Sequence, residues 1–193
     1  MTQLAALIGD SGAKLDGISA YLDRLDPAAR LADALALRKA DQARLWSVAG
    51  PSAPAFGLDF LVPPDAPPLK PFPFEGKNTL PLFTRFRKVF YRTPDGQIGG
   101  YNDQSMSWLT GPGYYITHLA ENAPGPVVVD YTMIPEAKPD GWPAIKRNEK
   151  GLSRLVYGFM HDYLRRVSRD VVIGRAYKHG KETENYFVLC RPA

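Results

Sequence analysis

The fold of this chain is decided by short segments of alternating polarity, of which the clearest is Val171-Val172-Ile173-Gly174-Arg175-Ala176-Tyr177-Lys178. In an extended strand, successive side chains point to opposite faces, so every second residue shares a face. One face of this strand carries Val171, Ile173, Arg175 and Tyr177. A strand that points arginine and tyrosine the same way as its aliphatic side chains belongs either to a wet outer surface or to a lined cavity.

The preceding segment, Leu152–Leu164, has the same alternation. One face of that strand carries Leu155, Tyr157, Phe159, His161 and Tyr163. Arg169-Asp170 predicts a turn that joins the two strands into a hairpin. Working outward, further strands are predicted at Tyr114–Leu119, Val127–Ile134 and Tyr186–Arg191, separated by turns rich in Gly and Pro. Regularly punctuated strands of this kind predict a mainly antiparallel barrel or a strongly curved sheet.

One segment of this β body, Leu80–Arg92, fits either a helix or a strand. Its aromatic and β-branched content favours the strand. As a strand it would carry Phe83, Arg85, Arg87, Val89 and Tyr91 on one face.

The first fifty residues are predicted to be helical. Leucine and isoleucine recur at spacings of three and four over 12–25, and Asp26-Pro27 is a typical start for a second helix that extends to about Val48. The two helices would form a hairpin that covers one open end or edge of the sheet.

Residues 51–81 hold nine of the eighteen prolines of the chain. Because proline lacks the N–H group that helices and sheets use, this segment is predicted to be an extended strap. Its phenylalanines and leucines give it a reason to pack on the protein. The expected organisation is therefore α+β, with a helical segment at 1–50, a packed strap at 51–81 and a lipocalin-like antiparallel β body at 82–193.

Composition narrows the classes of function. The net charge of +4 is small and its basic residues are scattered, so nucleic acid is not an expected partner. No apolar run approaches the ~20 residues that span a bilayer, and no signal peptide is recognised. The single cysteine, Cys190, excludes an internal disulfide and fits a cytoplasmic location. The oligomeric state stays open.

The pair Arg175 and Tyr177 is the first candidate site. A guanidinium and a phenol two residues apart on one strand face can converge on a carboxylate or phosphate. Arg85 or Arg87 could assist them, while the wall of the cavity would be formed by Tyr157, Phe159 and Tyr163. The alternative is that Arg175 is an exposed charge on a solvated face.

The second candidate site is centred on His161, which lies among aromatic residues. Such a histidine could be a general base, a proton donor or an axial ligand of haem iron; it could also simply bond a neighbouring group. His118 and Asp130 belong to neighbouring strands and could meet it in space. No ligand spacing typical of a metal site is present, and we expect no cofactor, with haem as the alternative.

Three runs of sequence carry a resemblance: Asp162–Val167, Val172–Ala176 and Tyr186–Arg191. Together they resemble the C-terminal half of bacterial lipocalin-like proteins of unknown function, which are similar in outline to fatty-acid-binding and nitrobindin-like barrels. The resemblance implies a small barrel with a cavity for an apolar or amphipathic ligand. Fatty-acid-binding barrels use an Arg-x-Tyr pair on a late strand for a carboxylate, which Arg175 and Tyr177 could match.

These observations predict a protein that binds a small hydrophobic or amphipathic, anionic molecule in a barrel cavity. A cofactor-independent isomerase or cyclase in the same cavity is the alternative. In that enzyme, His161 or Asp130 would transfer a proton, and Tyr163 or Arg175 would stabilise the negative charge that develops. A protein-interaction module that uses the helical hairpin is the third hypothesis.

Overall fold

The computed structural model describes residues 2–50, 56–103, 111–121, 123–148 and 157–192. Within these residues, four α-helices are followed by eight antiparallel strands that close into a barrel. The helices are α1 (Gln3–Gly9), α2 (Leu15–Arg24), α3 (Pro27–Ala36) and α4 (Lys39–Ala49). The strands are β1 (Phe72–Asn78), β2 (Arg85–Arg92), β3 (Ile98–Asp103), β4 (Tyr115–Leu119), β5 (Val127–Asp130), β6 (Met160–Arg166), β7 (Val171–Lys178) and β8 (Lys181–Cys190). The α+β class and the antiparallel barrel are confirmed.

Each strand of the barrel pairs with the next strand in sequence, and β8 returns to pair with β1. Closure satisfies the hydrogen-bonding edges that an open sheet would expose. The prediction for β7 is confirmed over its whole length, and the Arg169-Asp170 turn does join β6 to β7. The strand alternative for Leu80–Arg92 is confirmed from Arg85 onward. The part of the Leu152–Leu164 segment before residue 157 lies outside the described residues.

The predicted helical hairpin is, in the described chain, a layer of four helices. The expected second helix divides at Leu37, whose side chain is buried and whose backbone is extended (ψ 132°). The carboxylate of Asp41 then accepts a hydrogen bond from the backbone N–H of Arg38 and starts α4. The second helix was expected to be continuous because its apolar stripe extends across this break, and α1, which precedes the predicted first helix, was not predicted.

The helical layer packs on the outer face of the barrel at β7 and β8. A common hydrophobic cluster joins Ile8, Leu22 and Leu45 of the helices to Val171, Ile173 and Val188 of the strands. The guanidinium of Arg165 on β6 lies 3.8 Å from the ring centre of Trp46 and donates to its carbonyl at 2.7 Å. The face of β7 that carries Val171 is therefore the outer face.

The strap closes one end of the barrel. Leu61 and Val62 are fully buried and belong to the same cluster as the interior residue Phe90. Arginines fasten this segment to the wall, since Arg191 donates to the carbonyl of Phe60 at 2.6 Å. Residues 51–55 of the predicted strap lie outside the described residues.

The first strand of the barrel lies within the segment predicted as strap. Pro73 is part of β1, at a position paired with β2 only, before the pairing with β8 begins at Glu75. A proline is tolerated in a strand where its missing N–H has no ladder partner to serve. Proline content therefore hid a strand of the barrel.

Candidate functional site

The interior of the barrel holds a pocket of about 330 Å³ at the end opposite the strap. Its walls are largely apolar, with Phe86, Tyr157, Met160, Ala176 and Phe187 among the lining side chains. Leu80, Lys178 and Asn185 contribute to its mouth. A second depression, of about 530 Å³, lies between the Leu58–Asp59 turn and β4. It does not include Lys88 or Asp162, which form a buried ion pair in the barrel interior. The interior pocket is therefore the stronger candidate.

A cluster of buried polar side chains lies at the inner end of this pocket. The ammonium of Lys88 donates to the hydroxyl of Tyr131 at 2.6 Å and to the carboxylate of Asp162 at 3.1 Å. The same hydroxyl lies 3.1 Å from that carboxylate, and it accepts a hydrogen bond from Asn102 at 2.9 Å. All four side chains belong to residues that are at most 5 % exposed. The walls of the barrel thus enclose a compact, buried network of hydrogen bonds.

The strand register brings these four residues together. Lys88 on β2 is directly opposite Asn102 on β3, and both point inward. Asp162 lies on β6, four strands away around the barrel, so the side chain of Lys88 crosses the interior to reach it. Tyr131 immediately follows β5, which pairs with β6. The ion pair therefore links opposite walls.

The electrostatics of the cluster follow from its burial. Loss of water lowers the pKa of Lys88, and the nearby Asp162 opposes this shift only in part. Burial and the same carboxylate raise the pKa of the Tyr131 hydroxyl well above its usual value. The rings of Tyr115, Tyr131 and Phe187 surround the ammonium at 4.7, 5.0 and 5.4 Å from their centres. Lys88 is thus held by groups that stabilise its charge in an otherwise apolar space.

One polar atom of the cluster has no partner in the described structure. The side-chain oxygen of Asn102 is buried and accepts no hydrogen bond, while its amide nitrogen donates to Tyr131. A buried acceptor without a donor is costly, and it is the kind of group that a bound molecule satisfies.

Sequence reasoning missed Lys88, Asn102, Tyr131 and Asp162. A signal for Lys88 was present, because Phe86, Lys88 and Phe90 alternate on one face of β2. One lysine on an aromatic strand face indicates a buried cation, but the sequence prediction considered only the opposite face of this strand, which carries Arg85 and Arg87. Asp162 had no such signal, since its partner is 74 residues away in sequence.

Among the predicted ligand-contacting residues, Tyr157 lines the interior pocket. It is buried and its ring stacks on that of Tyr131 at 5.1 Å. Phe159 lies nearby but is 40 % exposed and stacks on the ring of His179. Phe159 has a positive φ of 56°, which interrupts the alternation on which the expected common face depended.

The structure places Arg175, Tyr177 and Tyr163 on the outer wall, away from the interior pocket. Arg175 pairs with the carboxylate of Glu182, and the ring of Tyr163 contacts that of Tyr177 edge to face at 4.7 Å. These residues do converge, as their spacing predicts, but they converge outside the barrel.

The two arginines of β2 are also on the outer wall. Arg85 is exposed, and Arg87 bonds Glu75 on the neighbouring strand at 2.9 Å. The interior pocket is thus built without any of the three arginines predicted to anchor an anion.

His118, Asp130 and His161 are brought together, on the outer wall at β4, β5 and β6. The Nε2 atoms of His161 and His118 lie 3.3 and 3.6 Å from different oxygens of Asp130. Burial alone would raise the pKa of Asp130, but hydrogen bonds from His161 and Thr132 outweigh it and hold that pKa low. The hydrogen bond to Asp130 in turn raises the pKa of His161.

Comparison of the chain with family models, curated proteins and solved structures finds no match. In the described ranges, no three His, Cys, Asp or Glu side chains are arranged to hold a metal ion, the His118–Asp130–His161 cluster included. None of the helices described is both long and apolar enough to cross a bilayer. Among the described residues, the interior pocket and its buried polar cluster are the strongest indication of function.

Proposed function

We propose that the barrel binds a small amphipathic molecule in its interior pocket. The observation that carries the proposal is a cavity with apolar walls and a buried polar cluster at its inner end, which is the usual design of small-molecule sites. Its volume of about 330 Å³ is near the lower end for such sites and suits a ligand with one or two rings or a short chain.

The polar cluster indicates how the ligand is oriented. Asn102 offers an acceptor for an N–H or O–H group, while the ammonium of Lys88 offers a donor, since the hydroxyl of Tyr131 already donates to Asp162. Because Asp162 compensates the charge of Lys88, the inner end of the pocket suits a neutral polar group better than an anion. An anionic group of the ligand would lie near Lys178 at the mouth.

Two adjacent residues of β7 supply a matched test. Ala176 lines the pocket and Arg175 lies on the outer wall. We expect Ala176→Phe to fill the cavity and abolish binding of anilinonaphthalene sulfonate, measured by fluorescence titration, whereas Arg175→Ala leaves the affinity unchanged. The reverse result would place the ligand on the outer wall and overturn the proposal.

Native mass spectrometry of freshly purified protein tests for an occupant directly. A mass excess that disappears on denaturation, and that Ala176→Phe abolishes, is the expected result. An excess retained in Ala176→Phe would place the bound molecule elsewhere.

A cofactor-independent enzyme is the second candidate, because the hydroxyl of Tyr131 bonds both Lys88 and Asp162. Such a connected set of donors and acceptors can relay a proton to a bound molecule. An enzyme should keep its affinity for the co-purified molecule in Tyr131→Phe but lose its conversion, followed by mass spectrometry. A carrier should return that molecule chemically unchanged from both proteins.

A further inference from the structure

The amine of Lys88 is a buried nucleophile that faces a cavity. Lys88 is 1 % exposed, yet it is among the residues that line the interior pocket. A ligand seated there would meet the amine without crossing solvent. Lysines that form imines with carbonyl compounds are activated by such dry surroundings, because the uncharged amine is the reactive form.

The neighbours of Lys88 are those that imine formation requires. Asp162, 3.1 Å from the amine nitrogen, lies within hydrogen-bond reach to accept a proton from the ammonium. Tyr131, 2.6 Å from the same nitrogen, carries a hydroxyl that donates to Asp162 at 3.1 Å and can turn to a carbonyl oxygen once that carboxylate has taken a proton. The three groups thus supply a nucleophile, a proton acceptor and a hydrogen-bond donor at one end of the pocket.

We propose that Lys88 captures an aldehyde or ketone as an imine inside the barrel. This inference rests on the proposed function, because it needs the pocket to admit a ligand. It identifies the class of ligand as a carbonyl compound with an apolar body.

The step balances without an oxidant or reductant. Asp162 first takes a proton from the ammonium. The amine nitrogen then adds to the carbonyl carbon, the carbon–oxygen π bond breaks, and one N–H proton passes to the oxygen, which gives a carbinolamine. Asp162 returns its proton to the departing hydroxyl, and water leaves as the carbon–nitrogen double bond forms. One ammonium and one carbonyl thus give one protonated imine, paired with the Asp162 carboxylate, and one water.

The test is reductive trapping of the full-length protein with cinnamaldehyde and sodium cyanoborohydride. The site of the adduct is then located by peptide mapping. We expect one dominant adduct on the peptide that contains Lys88, and its loss in Lys88→Met. Lys181→Met, which changes an exposed lysine at the start of β8, should keep it. Because mapping is done on the unchanged protein, the result stands even where Lys88→Met folds poorly.

Cinnamyl alcohol separates this inference from the proposed function, since it has the same body but cannot form an imine. Excess alcohol should suppress trapping at Lys88 severalfold. If the alcohol binds in a manner that Ala176→Phe abolishes but the aldehyde is trapped elsewhere or not at all, the imine is wrong and the binding pocket stands. If neither probe enters the pocket, both are overturned.

Discussion

Lys88 enters the barrel as a cation, with the carboxylate of Asp162 3.1 Å from its ammonium and three aromatic rings around it. Transfer from water costs each charge several kcal/mol, and mutual attraction offsets that cost only while both partners are present. The pair therefore adds little net stability, whereas removal of one partner leaves a buried charge without compensation.

A first prediction follows for this pair. Lys88→Met should lower the free energy of unfolding by about 3–5 kcal/mol, because Asp162 is left unpaired. Lys88→Met combined with Asp162→Leu should lose less, since no buried charge remains. Urea denaturation monitored by circular dichroism measures both, and Lys181→Met should stay within about 0.5 kcal/mol of the unchanged protein. If the double variant loses as much stability as the two single variants Lys88→Met and Asp162→Leu together, the two charges do not compensate each other.

The contact between His161 and Asp130 predicts a dependence of stability on pH. The folded pKa of His161 is raised above 6.5, so its contribution is fully present below that pH and is lost as pH rises through the folded value. Because His161 is partly exposed, the effect should be under about 1 kcal/mol.

The companion shift at Asp130 acts at the other end of the pH scale. Its folded pKa lies below 3.8, so its contribution is present above that pH and is lost as the pH falls below it. Urea denaturation between pH 5 and 8 should show a falling stability that His161→Gln flattens, because the stabilisation that depends on protonated His161 is lost as the pH rises. An unchanged slope in His161→Gln would assign the dependence to other groups.

Residue identity alone could not locate the site. In sequence, Lys88 is one of several cations in β2, and only its position on the face of Phe86 and Phe90 distinguishes it. The outer cluster was easier to anticipate, because His118, Asp130 and His161 lie on strands that follow one another in a meander. That these three side chains could meet follows from the adjacency of their strands, whichever face of the sheet points into the barrel.

At the scale of elements, β7 shows both the strength and the limit of periodicity. Alternation correctly groups Val171, Ile173 and Arg175 on one face, but it does not say which side of the sheet that face occupies. The helices decide this, because they cover the apolar half of the face and leave Arg175 beyond their edge. The opposite face, with Val172 and Ala176, is the one that lines the barrel.

The interior face of β7 gives a third prediction, which concerns Gly174. A Cβ atom there would lie 2.1 Å from the ring of Phe187, so Gly174→Ala must displace a buried aromatic side chain. We expect a loss of about 1–3 kcal/mol in the free energy of unfolding.

Gly17 in α2 provides the contrast, because a Cβ atom there meets nothing within 4 Å. Gly17→Ala should stabilise the protein by about 0.5–1 kcal/mol through helix propensity. Thermal denaturation of the two variants compares them directly. Equal effects would mean that the ring of Phe187 does not pack against β7.

At the scale of the whole molecule, the sequence predicted the order of the helical, strap and β parts but not which strands and helices make up each part. Leucine spacing and proline content separate a helical part, a strap and a β body. They could not show that β1 belongs to the barrel, because its proline indicates a strap and its second partner, β8, is distant in sequence.

Cys190 gives a fourth prediction, for the layer of helices as a whole. The thiol is buried under the helices, and burial raises its pKa to about 11, so it is unreactive while the layer is in place. Dithionitrobenzoate should modify it slowly in the native protein and rapidly in urea. Leu45→Ala, which weakens the contact between helices and barrel, should accelerate modification without changing the rate in urea. If Leu45→Ala and the unchanged protein react at equal rates without urea, the thiol becomes accessible by a motion other than separation of the helices from the barrel.

The position of the helices has a consequence for how the protein is made. The helices come first in the chain, yet the wall on which they pack is formed by β7 and β8, which begin at residues 171 and 181. The same two strands complete the barrel, since β1, which begins at residue 72, can form its second pairing only when β8 is present. During synthesis, the apolar stripe of the helices and the unpaired edge of β1 must therefore remain exposed until the last of these strands has left the ribosome. Nascent chains of this protein should thus depend on a chaperone that shields its first fifty residues for most of translation.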